Sequence, residues 1–478
     1  MIVRGTRSAV ILVTFLTVGG LTLVPSVTCA QPAYVGRNPS LEDLKRQLSA
    51  LERDTAGQIA AIRQQIAALE SAAPGPAAAS VQTAAPVPPA QETFARDRET
   101  VARVDNAPLD PALQGFVPIP GTLARVKIDG YAKLDTIVDS RPAGNPDRFI
   151  PSTIPVGLTD AQETPSTTLH IRQTRLNLDF RSPTSIGSDL RTFAEIDFFG
   201  PDAPFDPRVR HFYGQLANFL VGQTWTTFTD PDAFPDSLDD DGSSVAIKLR
   251  QAQVRYTQRL KSGQSLAFAI ERPLVESRQI TETGASYSPV PDVVVRYRFD
   301  ASRGHVQAGS LFRTLGYRVA ERNTTTLGVG GNVAGSWKAT WGDTVMGYAS
   351  FGRGIARYVE NLAGSNSDLD LNDAGTDVAA LPAFGAYAAY TRVWPKRLRS
   401  TGVFGYTRIN TTESQLAGAF FDSHYGLANL LWNPAGSLDL GIEYLFGTHA
   451  VKDGKSAQVS RIQFSAKYDF FRKRPLTP

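Results

Sequence analysis

Cysteine is almost missing from this chain: its 478 residues hold one, Cys29, and only two methionines. Cys29 falls at the end of an N-terminal leader, so the mature chain has no thiol. That excludes a disulfide framework and thiolate metal sites. Long hydrophobic runs are missing too. After residue 30 no apolar stretch approaches the roughly 18 residues a spanning helix needs, so any membrane span must be built from strands. An excess of one charge sign is also lacking. The formal net charge of +3 falls to +1 once Arg4 and Arg7 leave with the leader, which gives no case for nucleic acid. The five histidines, His170, His211, His305, His424 and His449, fall on different strands or loops without motif neighbours. No HExxH, GxSxG, P-loop or CxxC occurs, and Gly352-Arg353-Gly354 lacks the third glycine and the helix of a nucleotide fingerprint. The reading is therefore no enzyme, no cofactor and no metal.

What is present falls into four stretches. Residues 1–30 read as a secretory leader, with Arg4 and Arg7 at the basic end, an apolar stretch over 9–24, and Thr28-Cys29-Ala30 as a small-residue cleavage site. Residues 31–70 carry a helix opened by Ser40 and Asp43. Leu41, Leu44, Leu48, Leu51, Ile59, Ile62, Ile66 and Leu69 form its seam, and Thr55 marks a stutter. So narrow an apolar stripe predicts self-association through a coiled coil; the isoleucines leave a trimer open, and the seam would also tolerate a dimer. Residues 71–123 are an Ala/Pro-rich extended linker and a polar lead-in.

From Ala124 to the end the pattern turns to period two. Val126, Ile128, Gly130, Ala132 and Leu134 alternate with Lys127, Asp129, Tyr131, Lys133 and Asp135. Ile462, Phe464, Ala466, Tyr468 and Phe470 alternate likewise with Arg461, Gln463, Ser465, Lys467 and Asp469. Brief links near 182–188, 214–218, 260–264, 300–304, 339–342, 395–399 and 433–436 alternate with longer ones. The longer ones fall near 140–166, 201–207, 227–242, 272–290, 316–323, 360–378, 411–422 and 448–459. Seven short and eight long connections join sixteen strands. The expected fold is all-β, a 16-stranded antiparallel transmembrane β-barrel preceded by the N-terminal coiled-coil helix. Both barrel ends then lie on the side of the short turns, the periplasm.

The third long connection stands apart. The stretch GQTWTTFTDPDAFPDSLDDDG (222–242) begins as strand and breaks into a loop holding two prolines and six aspartates: Asp230, Asp232, Asp236, Asp239, Asp240 and Asp241. It cannot pack a core of its own, and it suits a position folded inward as a constriction near 227–242. Strand parity points Lys127, Lys133, Arg175, Arg181, Arg191, Arg255, Arg296 and Arg298 into the lumen, with Val293, Val295, Tyr297 and Phe299 facing out opposite the last two. Arginine facing acid across the narrow part would set up a transverse field. Rings of basic side chains favour anions by replacing lost hydration, and arginine holds carboxylates bidentately. Lumenal carboxylates such as Asp129, Asp135, Asp179, Glu195 and Glu271 are alternative partners for each arginine. Calcium at Asp239-Asp240-Asp241-Gly242 is not expected, because an EF-hand needs glutamate where Lys248 stands.

Nine runs through the barrel resemble the DcaP-like family of trimeric outer-membrane porins. They are KIDGYAKLD (127–135), RQTRLNLDF (172–180), AEIDFFG (194–200), GQTWTTFTD (222–230), RQAQVRY (250–256), GRGIARYV (352–359), ANLLWNP (428–434), LGIEYLFG (440–447) and RIQFSAKYDF (461–470). The resemblance implies a sixteen-stranded barrel in the outer membrane of a Gram-negative bacterium. It also implies a homotrimer through barrel walls and a periplasmic coiled coil, and passage of small, mainly anionic solutes such as dicarboxylates. Outer-membrane lipids and the barrel-assembly machinery are the other expected partners. Porins usually end on an aromatic; here Phe470-Phe471 is followed by RKRPLTP. Two other readings remain open on the residues: a structural protein with a plugged barrel and a coiled-coil spacer, and a sugar-type porin. The latter would want an aromatic ladder beyond Tyr131.

Overall fold

The computed structural model describes residues 115–470, apart from 202–204, 281–283, 320–321, 340–341 and 375–376. The expected leader and coiled coil lie outside the described residues. Period-two alternation builds sixteen antiparallel strands. In chain order, β1 is Arg125–Asp139 and β2 is Ser166–His170 continued, after a break, as Arg175–Pro183. Then follow β3 (Asp189–Asp197), β4 (Arg208–Leu216), β5 (Phe219–Trp225), β6 (Arg250–Arg259), β7 (Gln264–Glu271) and β8 (Asp292–Ala301). Next are β9 (Gly304–Val319), β10 (Arg322–Lys338), β11 (Thr344–Arg353) and β12 (Pro382–Trp394). The last four are β13 (Leu398–Ile409), β14 (Phe420–Trp432), β15 (Leu438–Val451) and β16 (Ser456–Asp469).

Each strand pairs with its sequence neighbours, and β16 returns to β1, from Tyr131 opposite Asp469 to Asp139 opposite Arg461. Across that seam Arg461 donates to both oxygens of Asp139, at 2.7 and 2.9 Å. Closure leaves no strand edge, and in hydrocarbon every backbone group must find its partner inside the protein. The two parts of β2 share β1 between them: Ser166–His170 lies beside Asp135–Asp139, and Arg175–Arg181 beside Arg125–Tyr131.

Exposure runs inside-out relative to a water-soluble sheet. Leu176 and Leu178 are 42% and 37% exposed, whereas Arg175, Asp179 and Arg181 beside them are 7%, 8% and 9% exposed. The same holds on β8, where Val293, Tyr297 and Phe299 are exposed and Arg296 and Arg298 are buried. A charge on the outer face would cost about 2–4 kcal/mol at mid-membrane depth. The alternation therefore fixes which face meets lipid.

Two connections expected to be long are tight. The ladder between β9 and β10 continues through Gly316 opposite Thr325, Tyr317 opposite Thr324 and Arg318 opposite Asn323. The Asn-Thr-Thr-Thr run looks like loop by polarity, yet β-branched threonine suits a strand. Likewise β15 runs to Val451 and β16 begins at Ser456, joined by a turn in which Gly454 takes φ +85. Asp453-Gly454 is a hairpin signal. Three of the other long connections, 140–165, 226–249 and 354–381, pack against the inner wall. Phe149, Phe228, Val245, Ile247 and Tyr358 come from them. They form a buried apolar cluster against inward residues such as Tyr387, Tyr425 and Leu427 of β12 and β14.

Candidate functional site

The connection 226–249, between β5 and β6, follows the inner wall of the barrel. A segment with no core of its own must give its backbone groups partners, and wall side chains supply them in turn. Glu271 on β7 accepts the Thr227 N–H at 2.6 Å. Gln307 on β9 donates to the Thr229 carbonyl at 2.9 Å, and Asn332 on β10 donates to that of Phe228. Tyr387 on β12 donates to the Ala233 carbonyl at 2.7 Å. Asn429 on β14 donates to the Asp236 carbonyl at 2.8 Å. Glu443 on β15 accepts from Leu238 and Asp239 N–H at 2.9 and 3.0 Å. Gln463 on β16 donates to the Leu238 carbonyl at 3.2 Å, and Lys133 on β1 donates to the same atom. The segment thus makes most of one circuit of the wall before reaching Arg175 on β2.

Five of the six aspartates of this segment meet a donor directly, and Asp241 has a more distant arginine. Arg298 holds Asp230 at 3.2 Å and Asp232 at 2.6 Å, and the His305 imidazole lies 2.8 Å from Asp230. Arg399 pairs with Asp236. Asp239 accepts the Phe149 N–H at 3.0 Å. Arg175 donates to Asp240 at 2.8 Å, and Arg148 approaches Asp241 at 3.6 Å. The expectation of acids facing arginines across a gap is corrected here: where acid meets arginine the two are in contact, so their fields largely cancel locally instead of crossing an open passage.

The basic residues picked by parity all stand on the inner face, most with lumenal partners. Lys127 pairs with Asp129 at 3.3 Å and Lys133 with Asp135 at 3.0 Å. Arg181 and Arg191 share Asp179, at 2.7 and 2.9 Å. Arg255 donates to Gln253 and to the Trp225 carbonyl, the latter at 2.7 Å. Arg296 is buried on β8 beside Arg298.

A tighter basic cluster gathers around Asp240 instead. It joins Arg175 to five arginines that strand parity does not find: Arg148, Arg172, Arg208, Arg210 and Arg250. Arg208 and Arg210 lie 3.6 and 3.8 Å from Asp240. Arg148, Arg172 and Arg208 stand over the Phe199 ring at 5.7, 5.3 and 5.2 Å. Arg250 and Arg210 stand over Trp225 at 4.4 and 6.0 Å. Such stacking favours the weakly hydrated, planar guanidinium. Arg250 pairs with no carboxylate among the described residues.

Each of the five escapes alternation for a local reason. A register shift opposite Glu195 and Ile196 inserts a residue into β4, so Val209 and Phe212 face out while Arg210 and His211 between them both face in. A bulge re-aims side chains in this way. Arg172 sits in the break of β2, donating to the Phe198 and Gly200 carbonyls at 3.0 and 2.7 Å. Arg148 belongs to the connection 140–165. Arg208 and Arg250 are the first residues of their strands, where alternation has barely begun. The nearby pairs Arg-x-Arg (208–210) and Arg250 before Gln251 are the signal a closer reading of strand ends would use.

Burial alone would raise the Asp240 carboxyl, but Arg210, Arg175 and Arg208 outweigh it and hold it well below the usual carboxylate range. Its neighbours behave oppositely. Burial, then Asp241, pushes Asp239 up to about 8. The same two causes push Glu360 up to about 8. For a metal, Asp230, Asp232 and His305 come close enough to share an ion, yet Arg298 already lies on both carboxylates and would oppose a cation there.

An even-stranded closed barrel with an apolar exterior, a charged interior and an inserted loop is an outer-membrane channel of the porin class. The chain belongs to the DcaP outer membrane protein family, whose profile matches residues 115–470, and its place is the Gram-negative outer membrane. The structure resembles that of the outer membrane channel DcaP of Acinetobacter baumannii, with a TM-score of 0.66 at 24% identity, over 74% of this chain and 99% of that one. Lower similarities include an anion-selective porin from Comamonas acidovorans, with a TM-score of 0.47 at 11% identity, over 73% of this chain and 100% of that one. Salmonella typhi OmpF gives a TM-score of 0.46 at 12% identity, over 74% and 100%. No curated protein sequence matches.

Proposed function

We propose that the barrel passes small, preferentially anionic solutes, dicarboxylates among them, by facilitated diffusion along its arginine-lined lumen, as a homotrimer joined through barrel walls and the N-terminal coiled coil. The observation that carries this reading is the arginine cluster on Phe199 and Trp225. Three of its members keep water-reachable guanidinium groups: the side chains of Arg148, Arg172 and Arg208 are 25%, 19% and 26% exposed. Partly dehydrated guanidinium groups at a narrow place replace part of an anion's hydration, and where arginines outnumber carboxylates a cation gains less. Capture is weak and shared among several arginines, because conduction requires release.

A second reading, a plugged structural barrel, draws support from the apolar loop cluster around Phe149, Phe228 and Tyr358. Solute entry separates the two. Liposomes carrying the purified protein should admit succinate faster than 1,4-diaminobutane, a solute of like size and opposite charge. Equal rates sink the anion preference, and no entry of either supports the plug.

A further inference from the structure

Asp240 occupies the position that a carboxylate solute would take. Its carboxylate lies 2.8 Å from Arg175, 3.6 Å from Arg208 and 3.8 Å from Arg210. None of these contacts is needed to hold the segment down. The chain before Asp240 is fixed by Glu443, which accepts from Leu238 and Asp239 N–H. The chain after it is fixed by the Asp241 N–H donating to Asp239 at 3.1 Å and by Lys248 donating to the Asp241 carbonyl. Two of the three arginines are likewise held without Asp240, whereas Arg175 has the Tyr131 ring at 5.7 Å as its other contact. Arg208 donates to Asp197 at 2.9 and 2.6 Å. Arg210 donates to Glu195 and Asp197, both at 2.8 Å. A carboxylate arm between two separate anchors thus reaches Arg175 and two guanidinium groups that are already fixed by other acids.

We propose that Asp240 is a tethered carboxylate filling the lumen's own anion position, so that a passing carboxylate crosses the narrow part by exchanging with it on Arg208, Arg210 and Arg175. The inference rests on the anion-channel reading. A tethered competitor acts at millimolar or higher effective concentration when its tether fits. It lowers the residence of every external anion without removing the cluster that attracts it. Arg208, the most exposed of the three, receives the incoming group first, and Arg250, without a carboxylate of its own, offers the next foothold. Return of Asp240 then expels the solute.

The test compares wild type with Asp240→Asn in planar bilayers, with succinate as blocker of the chloride current. The asparagine is nearly isosteric and leaves both anchors of the segment. The half-blocking succinate concentration should fall about tenfold, as one additional charge-assisted hydrogen bond from guanidinium to succinate would give. The reversal potential should also move further toward chloride. An unchanged or raised half-blocking concentration overturns the proposal, because it makes Asp240 a support for the arginines. Should the asparagine variant yield no folded barrel, Asp240→Glu decides: it keeps the competitor, so succinate must block it no more tightly than wild type, and tighter block overturns the idea. A wild-type current without anion preference refutes the parent reading separately, since the direction of change between wild type and variant is read on its own.

Discussion

The carboxylate of Glu443 on β15 accepts the N–H of Leu238 at 2.9 Å, across 205 residues of chain. It also accepts from the Asp239 N–H at 3.0 Å, the Ser237 hydroxyl at 3.0 Å and the Asn429 amide at 2.9 Å. One buried wall side chain therefore sets the height of the inserted segment's tip. Glu443→Ala orphans two buried N–H groups, at about 1–3 kcal/mol each. The expected outcome is a lower unfolding temperature of the barrel, read by heat-modified gel mobility, together with noisier single-channel current. Glu443→Gln, which keeps an acceptor, should fall between the two.

Arg250 and Arg298 make contrasting cases. Arg250 stacks on Trp225 without a carboxylate partner among the described residues, so Arg250→Ala should cost under about 2 kcal/mol of stability while lowering the anion preference. Arg298 compensates the fully buried Asp230, and removing one partner of a buried pair costs about 3–5 kcal/mol. Arg298→Ala should therefore yield less folded barrel. Paired measurements of reversal potential and heat-modified mobility check both.

Asp239 and Glu360 give a pH dependence. Both carboxyls lie at about 8, raised by burial and then by Asp241, among Arg148, Lys248 and Asp240. A carboxyl raised in the folded state favours the protonated form, so its stabilising contribution is lost as pH climbs from the ordinary carboxyl range near about 4 to about 8. The same deprotonation adds negative charge beside the arginine cluster. Anion preference should thus decline between pH 7 and 9, and Asp239→Asn with Glu360→Gln should flatten that decline. A decline unchanged in the double variant contradicts the assignment.

Gly222, at the start of the stretch that leads into the lumen, holds φ +133 in β5. A Cβ there would stand 2.4 Å from the Phe212 carbonyl oxygen and 2.6 Å from the Tyr213 Cα. Both are backbone atoms that cannot swing away. Gly222→Ala should cost at least about 1–3 kcal/mol through strain alone, visible as reduced yield of heat-modifiable barrel.

Much of the fold is legible in sequence because the lipid face tolerates few exceptions. Leu176 and Leu178 against Arg175 and Asp179 already reveal a wall with a charged interior, and repetition of that pattern gives the strand count. Connection lengths were less legible. Around Thr324 and Ala457 the ladders continue through polar residues, which pair as well as apolar ones and so look like loop by polarity. The site was least legible of all. Arg210 points inward because one extra residue shifts the register of β4, and Arg148 and Arg172 point inward because loops carry them there. No period-two rule reports such positions, although they belong to the cluster on Phe199 and Trp225. Long-range partners such as Glu443 for Leu238 are set by three-dimensional closure, which a local pattern does not contain.

The most direct measurement is the reversal potential of the reconstituted wild-type channel under a salt gradient. The account predicts a potential of the sign set by chloride, with succinate on one side partly blocking the current. A potential of the sign set by the cation would mean that the carboxylates of 230–241, and not the arginines around Phe199 and Trp225, govern the passage, and would contradict the account.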